Sequence, residues 1–373
     1  MKVLSVMKMS TFVLSTLVVG FSIQARAELT SPDFCHEQCP VSSEVFGEKL
    51  VEDETIAISL YIDNDILTGG LSDRDYTGGF AFSFSGSNAA RHPFSIDKGI
   101  DFINEALGID TLTENSDYTL SSCEVGLTAF TPTDKITRQP IQDDRPYASL
   151  LYISNTQQHI LKASRISWIS TLTFGALGLD VSRDLQNSIH QLIGSDNADG
   201  WDNQISNGGE PTFRYSLTRQ RYHRTNIRNF HLTSSAKISV GYITEASIGS
   251  SFRWGRLRTP WWSFNADPGR YSEKGNVELP TSSYVDELYF LAGANVKLRA
   301  YNAFLQGQFR DSNVTYSSSE IEHVVYEGWI GVACAFKSGF RLSYIMRRQS
   351  SEIKVGQGNR AFSYGGLILS YKY

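Results

Sequence analysis

Short blocks with an apolar residue at every second position, and charged residues held on the opposite face, constrain this chain more than any other feature. In "EASIGSSFRW", Ala246, Ile248, Phe252 and Trp254 share one face, while Glu245, Ser247, Gly249, Ser251 and Arg253 share the other. Cys123, Val125, Leu127 and Ala129 alternate with Ser122, Glu124, Gly126 and Thr128; Phe340, Leu342, Tyr344 and Met346 alternate with Arg341, Ser343 and Arg347. A period of two is the signature of a strand with unlike faces. Half-buried strands of a soluble sandwich also alternate, but charges kept at mid-strand suit the wet lumen of a barrel whose apolar side meets lipid. The closing residues, "FSYGGLILSYKY", place Leu367, Leu369, Tyr371 and Tyr373 on one face and read as a final membrane strand with its aromatic girdle.

Blocks of this kind predict strands near 55–65, 76–86, 118–130, 146–159, 164–176, 211–222, 229–240, 243–256, 284–300, 323–337, 339–349 and 361–373. Twelve is an even number, as a closed antiparallel bacterial barrel requires. The fold class expected is therefore all-β, a twelve-stranded antiparallel transmembrane β-barrel of the bacterial outer membrane. No Pro- or Ser-rich linker divides residues 55–373, which read as one unit. Residues 1–27 carry Lys2 and Lys8, an apolar run from Phe12 to Phe21, and Ala25-Arg26-Ala27, the pattern of a cleaved secretory signal peptide. Residues 28–54 then form a periplasmic N-terminal segment, in which Cys35 and Cys39 are expected to pair in an oxidising compartment. A metal reading of Cys35, His36 and Cys39 would need ligands from elsewhere.

With both termini periplasmic, the odd-numbered connections 66–75, 131–145, 177–210, 241–242, 301–322 and 350–360 form the extracellular rim. Residues 87–117 fall on the periplasmic side, where Ile96, Ile100, Ile103 and Leu107 at helical spacing predict an amphipathic helix or cap. A partner-binding or membrane-surface helix is the functional alternative.

Three polar motifs share the rim. "DNDILTGGLSDRDYTGG" gathers Asp63, Asn64, Asp65, Asp73 and Asp75 around a Gly-Gly, with Thr77 two residues after Asp75. Turns use such residues, yet acids this dense repel unless cations offset them, and oxygen donors suit a hard cation such as calcium. "FTPTDKITRQPIQDDRPYASLLYIS" carries Asp144 and Arg145, expected to brace the loop as an Arg–carboxylate pair, and Lys135 and Arg138, candidates for meeting an anionic substrate. "NSIHQLIGSDNADGWDNQI" continues a helical stripe of Leu185, Ile189, Leu192 and Ile193 and sets His190 before an acidic loop containing Asp196 and Asp199. An imidazole titrates near working pH, which makes His190 the candidate general base.

These three motifs, in this order within a barrel-like chain, resemble the outer-membrane lipid A 3'-O-deacylase family over roughly residues 55–373. The resemblance implies a twelve-stranded barrel that uses calcium to remove the 3'-acyloxyacyl group from lipid A of lipopolysaccharide in the outer leaflet. Carried over by position, it implies catalytic roles for His190, Asn64 and Thr77 and metal binding by Asp65, Thr77 and Asp196. The chain departs from the family pattern at Asp196, where the family has a glutamate, and at Thr137, where it has a lysine; Lys135 and Arg138 flank the latter. Water activated by His190 is the expected nucleophile. Ser188 and Ser195 are the serine alternatives, Ser188 pointing away from His190 on a shared helix.

Two other readings stand beside this one. A phospholipase-type outer-membrane barrel would need an activated serine or its equivalent. A non-enzymatic barrel, porin-like or binding cations and lipopolysaccharide phosphates, is the reading from a different class. The net charge of −5 and the lack of a basic cluster argue against nucleic acid as a partner, leaving lipopolysaccharide and outer-membrane lipid.

Overall fold

The computed structural model describes residues 57–69, 74–86, 89, 95–193, 197–268 and 286–372, without the side chains of 189–193. The chain divides into Met1–Lys49 and Leu50–Tyr373, and the described residues belong to the second unit. The signal peptide, the 28–54 segment, Cys35, Cys39, Asp73, Ser195 and Asp196 lie outside the described residues.

Twelve antiparallel strands form the barrel: β1 (Ala57–Asn64), β2 (Asp75–Ser85), β3 (Tyr118–Thr131), β4 (Ala148–Leu161), β5 (Ile166–Leu177), β6 (Glu210–His223), β7 (Phe230–Gly241), β8 (Ile243–Arg256), β9 (Glu287–Asn302), β10 (Val324–Ala335), β11 (Phe340–Gln349) and β12 (Phe362–Lys372). Each pairs with the strand before it, and β12 returns to β1 with Leu60 opposite Leu369, closing the sheet. All twelve expected strands are present, with small differences at their ends. β4 begins at Ala148 because Pro146 has no N–H to give to a ladder. The tight β7–β8 connection turns at Gly241, whose φ of 136° and close approach to the Phe213 carbonyl leave no room for a Cβ.

The two faces divide as the alternation predicts. Phe82, Val125, Phe174, Phe213, Ile248, Trp254 and Ile330 are exposed on the outer wall as an apolar belt. The lumen is polar and filled. Arg299 donates to Glu245 at 2.9 Å and pairs with Glu352, Lys297 meets Glu327 at 2.6 Å, and Arg347 bridges Glu327 and Asp267. These charges are buried, so each needs its partner. The connection after β8 also folds inward, with Arg253 donating to the Thr259 and Pro260 carbonyls at 2.8 Å and Gln158 to the Trp262 carbonyl at 3.3 Å. A porin's wide aqueous channel is incompatible with this filling.

Between β2 and β3 lie α1 (Asp97–Ala106) and α2 (Ile109–Thr113). The sequence pattern predicts a helix here, but its seat differs from a cap over the lumen. α1 packs against the outer face of β4 and β5. Asn155 donates to Asp97 at 2.9 Å and Gln157 to Asp101 at 2.8 Å. Ile100 is fully buried, whereas Leu107 at the end of the expected stripe is 59% exposed. The reason is the wall itself, which is polar at this height and holds the helix through its polar side chains.

Candidate active site

The first rim motif is built by two local devices. Asn64, extended at the end of β1, accepts the Ile66 N–H on Oδ1 at 2.7 Å and caps a 3₁₀ turn over Asp65–Thr68. Gly69 closes that turn in the left-handed region, φ 81°. On β2 a bulge between Tyr76 and Gly78 breaks the alternation, so that Tyr76 joins the lumen cluster while the Thr77 hydroxyl meets the Thr131 hydroxyl at 2.5 Å. The Asn64 amide then donates to the Thr77 carbonyl at 2.5 Å, and Asp65 accepts the Arg74 N–H at 2.6 Å. The 65–68 turn lies against β12, with Leu67 touching the space over Gly365 and accepting from the Tyr344 hydroxyl. Asn64, Asp65, Thr77 and Thr131 thus form one oxygen-rich corner on the outer edge of the wall.

The acids of this motif do not act as one cluster. Asp63 faces the lumen and accepts from the Tyr76 hydroxyl at 3.1 Å. Asp75 is held by Arg360 at 2.8 Å and lies 3.6 Å from Arg145. Asp65 stands apart from both because the chain leaves β1 at Asn64 and turns through Asp65–Thr68, and Asp75 takes a left-handed φ of 67° at the start of β2; sequence spacing alone could not reveal either.

The second motif divides between brace and surface. Arg145 is 2% exposed, pairs with Glu352, and stacks its guanidinium between the Phe130 and Phe362 rings at 5.1 and 5.2 Å. Asp144 accepts the Thr133 N–H at 2.8 Å, the Arg145 N–H at 2.7 Å and an Arg360 N–H at 2.7 Å. Burial alone would raise the Asp144 carboxyl, but the Thr133 N–H and Arg360 outweigh it and hold the group below its ordinary 3.8. A depressed carboxylate stabilises the folded state fully above its unfolded pKa and loses that effect as pH falls through the folded value. Wild type should therefore have a higher thermal midpoint than Asp144→Asn above about pH 5, with the difference vanishing toward about pH 3; melting both proteins across that range checks it. Thr137 donates its hydroxyl to Asp134 at 2.5 Å. Arg138 is highly exposed and pairs with Asp199 at 3.0 Å; the Lys135 carbonyl accepts the Asp199 N–H at 2.8 Å.

That contact ties the second motif to the third. α3 (Val181–Ile193) rises from β5 and packs on β3, the strand that carries Thr131. The chain beyond it is pinned by Gln186, which accepts the Trp201 indole N–H at 2.8 Å, by Asn187, which accepts the Ala198 N–H at 2.8 Å, and by Trp201 packed on Tyr147 at 4.9 Å. The backbone of His190 is thus on a helix anchored beside the oxygen-rich corner; its imidazole and Asp196 lie outside the described atoms. Leu185, the one residue of the expected apolar stripe whose side chain is described, is exposed, as is Val181, while Ser182 and Gln186 are buried. Ser188 donates its hydroxyl to the Asp184 carbonyl at 2.6 Å, a back-bond that occupies the proton a nucleophilic serine must give up.

Among the described residues no three His, Cys, Asp or Glu side chains converge on one point. The donors present, Asp65 with the hydroxyl and carbonyl of Thr77 and the amide oxygen of Asn64, are all oxygen, which fits calcium and does not fit zinc. Contacts that sequence reading missed are long-range ones: Arg138 with Asp199, Arg145 with Glu352, and Gln186 with Trp201. No local spacing signals them.

Known proteins place this architecture. None of the curated proteins matches the chain. Among solved structures, LpxR from Salmonella typhimurium is similar in fold at 17% identity and a TM-score of 0.63, covering 84% of this chain and 99% of that one. The beta domain of the Bordetella autotransporter BrkA is 8% identical, covering 85% of this chain and 98% of that one, with a TM-score of 0.37. An outer-membrane channel from Pseudomonas putida F1 is 8% identical, covering 93% and 100%, with a TM-score of 0.40. The family model described as outer membrane protein LpxR matches residues 25–373. The chain is an outer-membrane barrel and belongs to the LpxR family.

Proposed function

We propose that this barrel is a calcium-dependent hydrolase that removes the 3'-acyloxyacyl group from lipid A of lipopolysaccharide by ester hydrolysis in the outer leaflet. The observation that carries the reading is where the polar corner opens. Asn64, Asp65 and Thr77 sit at the end of the lipid-facing wall, and the rim segments that carry the three motifs expose apolar side chains at Ile66, Ile136, Val181 and Leu185. A substrate that enters from the membrane, acyl chains first, meets apolar residues before it meets the oxygen donors. A water-soluble substrate would find no such arrangement useful.

Asp65, Thr77 and Asp196 would hold the calcium. When bound, it would supply a Lewis acid to polarise the acyl carbonyl and offset the negative charge that develops there. His190 takes a proton from the attacking water as its oxygen bonds to the acyl carbon, and the C–O bond to the sugar breaks as the sugar hydroxyl regains a proton. Asn64, already fixed by the cap and by Thr77, orients the corner without spending further entropy. Lys135 and Arg138, on the loop stitched to Asp199, would meet the phosphates of lipid A.

The test is a calcium titration of deacylation. Asp65→Ala is expected to raise the calcium needed for half-maximal rate by about 10-fold or more, while Arg138→Ala leaves the calcium midpoint unchanged and weakens substrate binding. An unchanged calcium midpoint in folded Asp65→Ala would contradict the assignment of the metal to this corner.

A further inference from the structure

The insert between β2 and β3 carries the second outward-facing site of the molecule. Ser121, Asn155, Gln157, Ser170 and Tyr215 all lie on the outer face, because their register partners and same-face neighbours include Val125, Ile153, Phe174 and Phe213 of the apolar belt. Bare polar groups on a lipid-facing wall are costly. α1 covers them: Asp97 accepts from Asn155 at 2.9 Å, Asp101 from Gln157 at 2.8 Å, and Asn104 from Ser170 at 3.0 Å and from the Tyr215 hydroxyl at 2.7 Å.

The face that α1 turns to the wall is largely polar. Asp97 and Asn104 are buried there with Ile100, while Phe102 is 71% exposed and Leu107, at the C-cap, 59% exposed. At 100° per residue, Ile103 and Leu107 fall on one flank and Lys98, Asp101 and Glu105 on the other, with Phe102 pointing away from the wall. The acidic flank lies toward the strand ends, since Gln157, the partner of Asp101, is nearer than Asn155 to the end of β4 at Leu161. The apolar flank therefore lies toward the belt residues Val125, Phe174 and Phe213 and continues their lipid-facing surface.

We propose that α1 is an interfacial membrane helix, clamped by its polar face to the barrel wall and seated in the periplasmic leaflet, with phospholipid acyl chains packed on Phe102, Ile103 and Leu107. Lys98 and Glu105 then stand at the headgroup level, where a lysine stem covers apolar surface and keeps its ammonium wet. The periplasmic assignment follows from the short connections 162–165, 224–229 and 336–339, which sit at this end beside the two longer inserts 86–117 and 257–286, whereas every connection at the other end except the tight β7–β8 turn is longer than any of these three. This seat is independent of the chemistry at the opposite rim.

The experiment adds one tryptophan at a time to the full chain, Phe102→Trp or Lys98→Trp, in vesicles of phosphatidylethanolamine and phosphatidylglycerol. Emission in excess of wild type is read with brominated acyl chains and with aqueous iodide. The Phe102→Trp excess should be lost with brominated chains and kept in iodide, and the Lys98→Trp excess should behave in the opposite way. Quenching of Phe102→Trp by iodide with no response to bromine would overturn the proposal and make the insert a water-facing cap. Quenching of both variants by bromine would overturn the flank assignment.

Discussion

His190→Ala is expected to lower lipid A deacylation by about 10²–10⁴-fold while the barrel folds normally. The magnitude is that of removing a positioned general base. α3 holds its place through Gln186, Asn187 and Trp201, which the substitution leaves in the chain. The calcium midpoint should stay near that of wild type, in contrast to Asp65→Ala, because the histidine acts on water and is no metal ligand. A pH profile separates base from scaffold: the wild-type rate should rise with pH through the imidazole range, and the residual rate of His190→Ala should lose that rise. Turnover of lipid A by mass, with heat-modifiable gel mobility as the folding control, checks both points. A variant with wild-type turnover would remove His190 from the mechanism.

Arg145→Ala is expected to destabilise the barrel by about 3–5 kcal/mol, the cost of leaving buried charge unpaired. Glu352 would keep Arg299 and Asp75 would keep Arg360, but each would lose Arg145, in a rim whose aromatic floor, Phe130 and Phe362, loses the guanidinium between its rings. Arg145→Met should be nearly as harmful, since packing volume is restored and the charge is not. Adding Glu352→Gln to Arg145→Met should cost less than the two changes summed, because each removes the other's unpaired partner. Urea unfolding in detergent micelles measures the series. Equal midpoints for wild type and Arg145→Ala would show that the brace is ornamental.

The strands were legible because a period of two runs through most of each one, interrupted by bulges at Thr77 and at Thr244, and because aromatic residues and mid-strand charges label the two faces. Closure followed from parity and from the apolar face of the last strand, where Leu367 and Leu369 lie opposite Ile62 and Leu60. The first motif was legible as a collection of oxygen donors, but the bulge at Thr77 and the alternation that turns Asp63 inward are properties of paired strands, which no single segment displays, and the hold of Arg360 on Asp75 comes from far along the chain. The partner of Arg145 lies 207 residues away at Glu352, a separation at which local spacing carries no information. The helical inserts were legible as helices from their apolar spacing, but the spacing does not say what each apolar side chain meets: Leu185 and Leu107 are exposed while Ile100 is buried.

The central claim is that the outer corner of the rim catalyses loss of the 3'-linked acyloxyacyl group with calcium. Its most direct test is the mass of purified lipid A after incubation with the folded, detergent-solubilised protein, with calcium or with a chelator. A product lighter by the 3'-acyloxyacyl group, formed with calcium and absent with chelator, is the result predicted. Unchanged lipid A under both conditions, with the barrel shown to be folded, would contradict it.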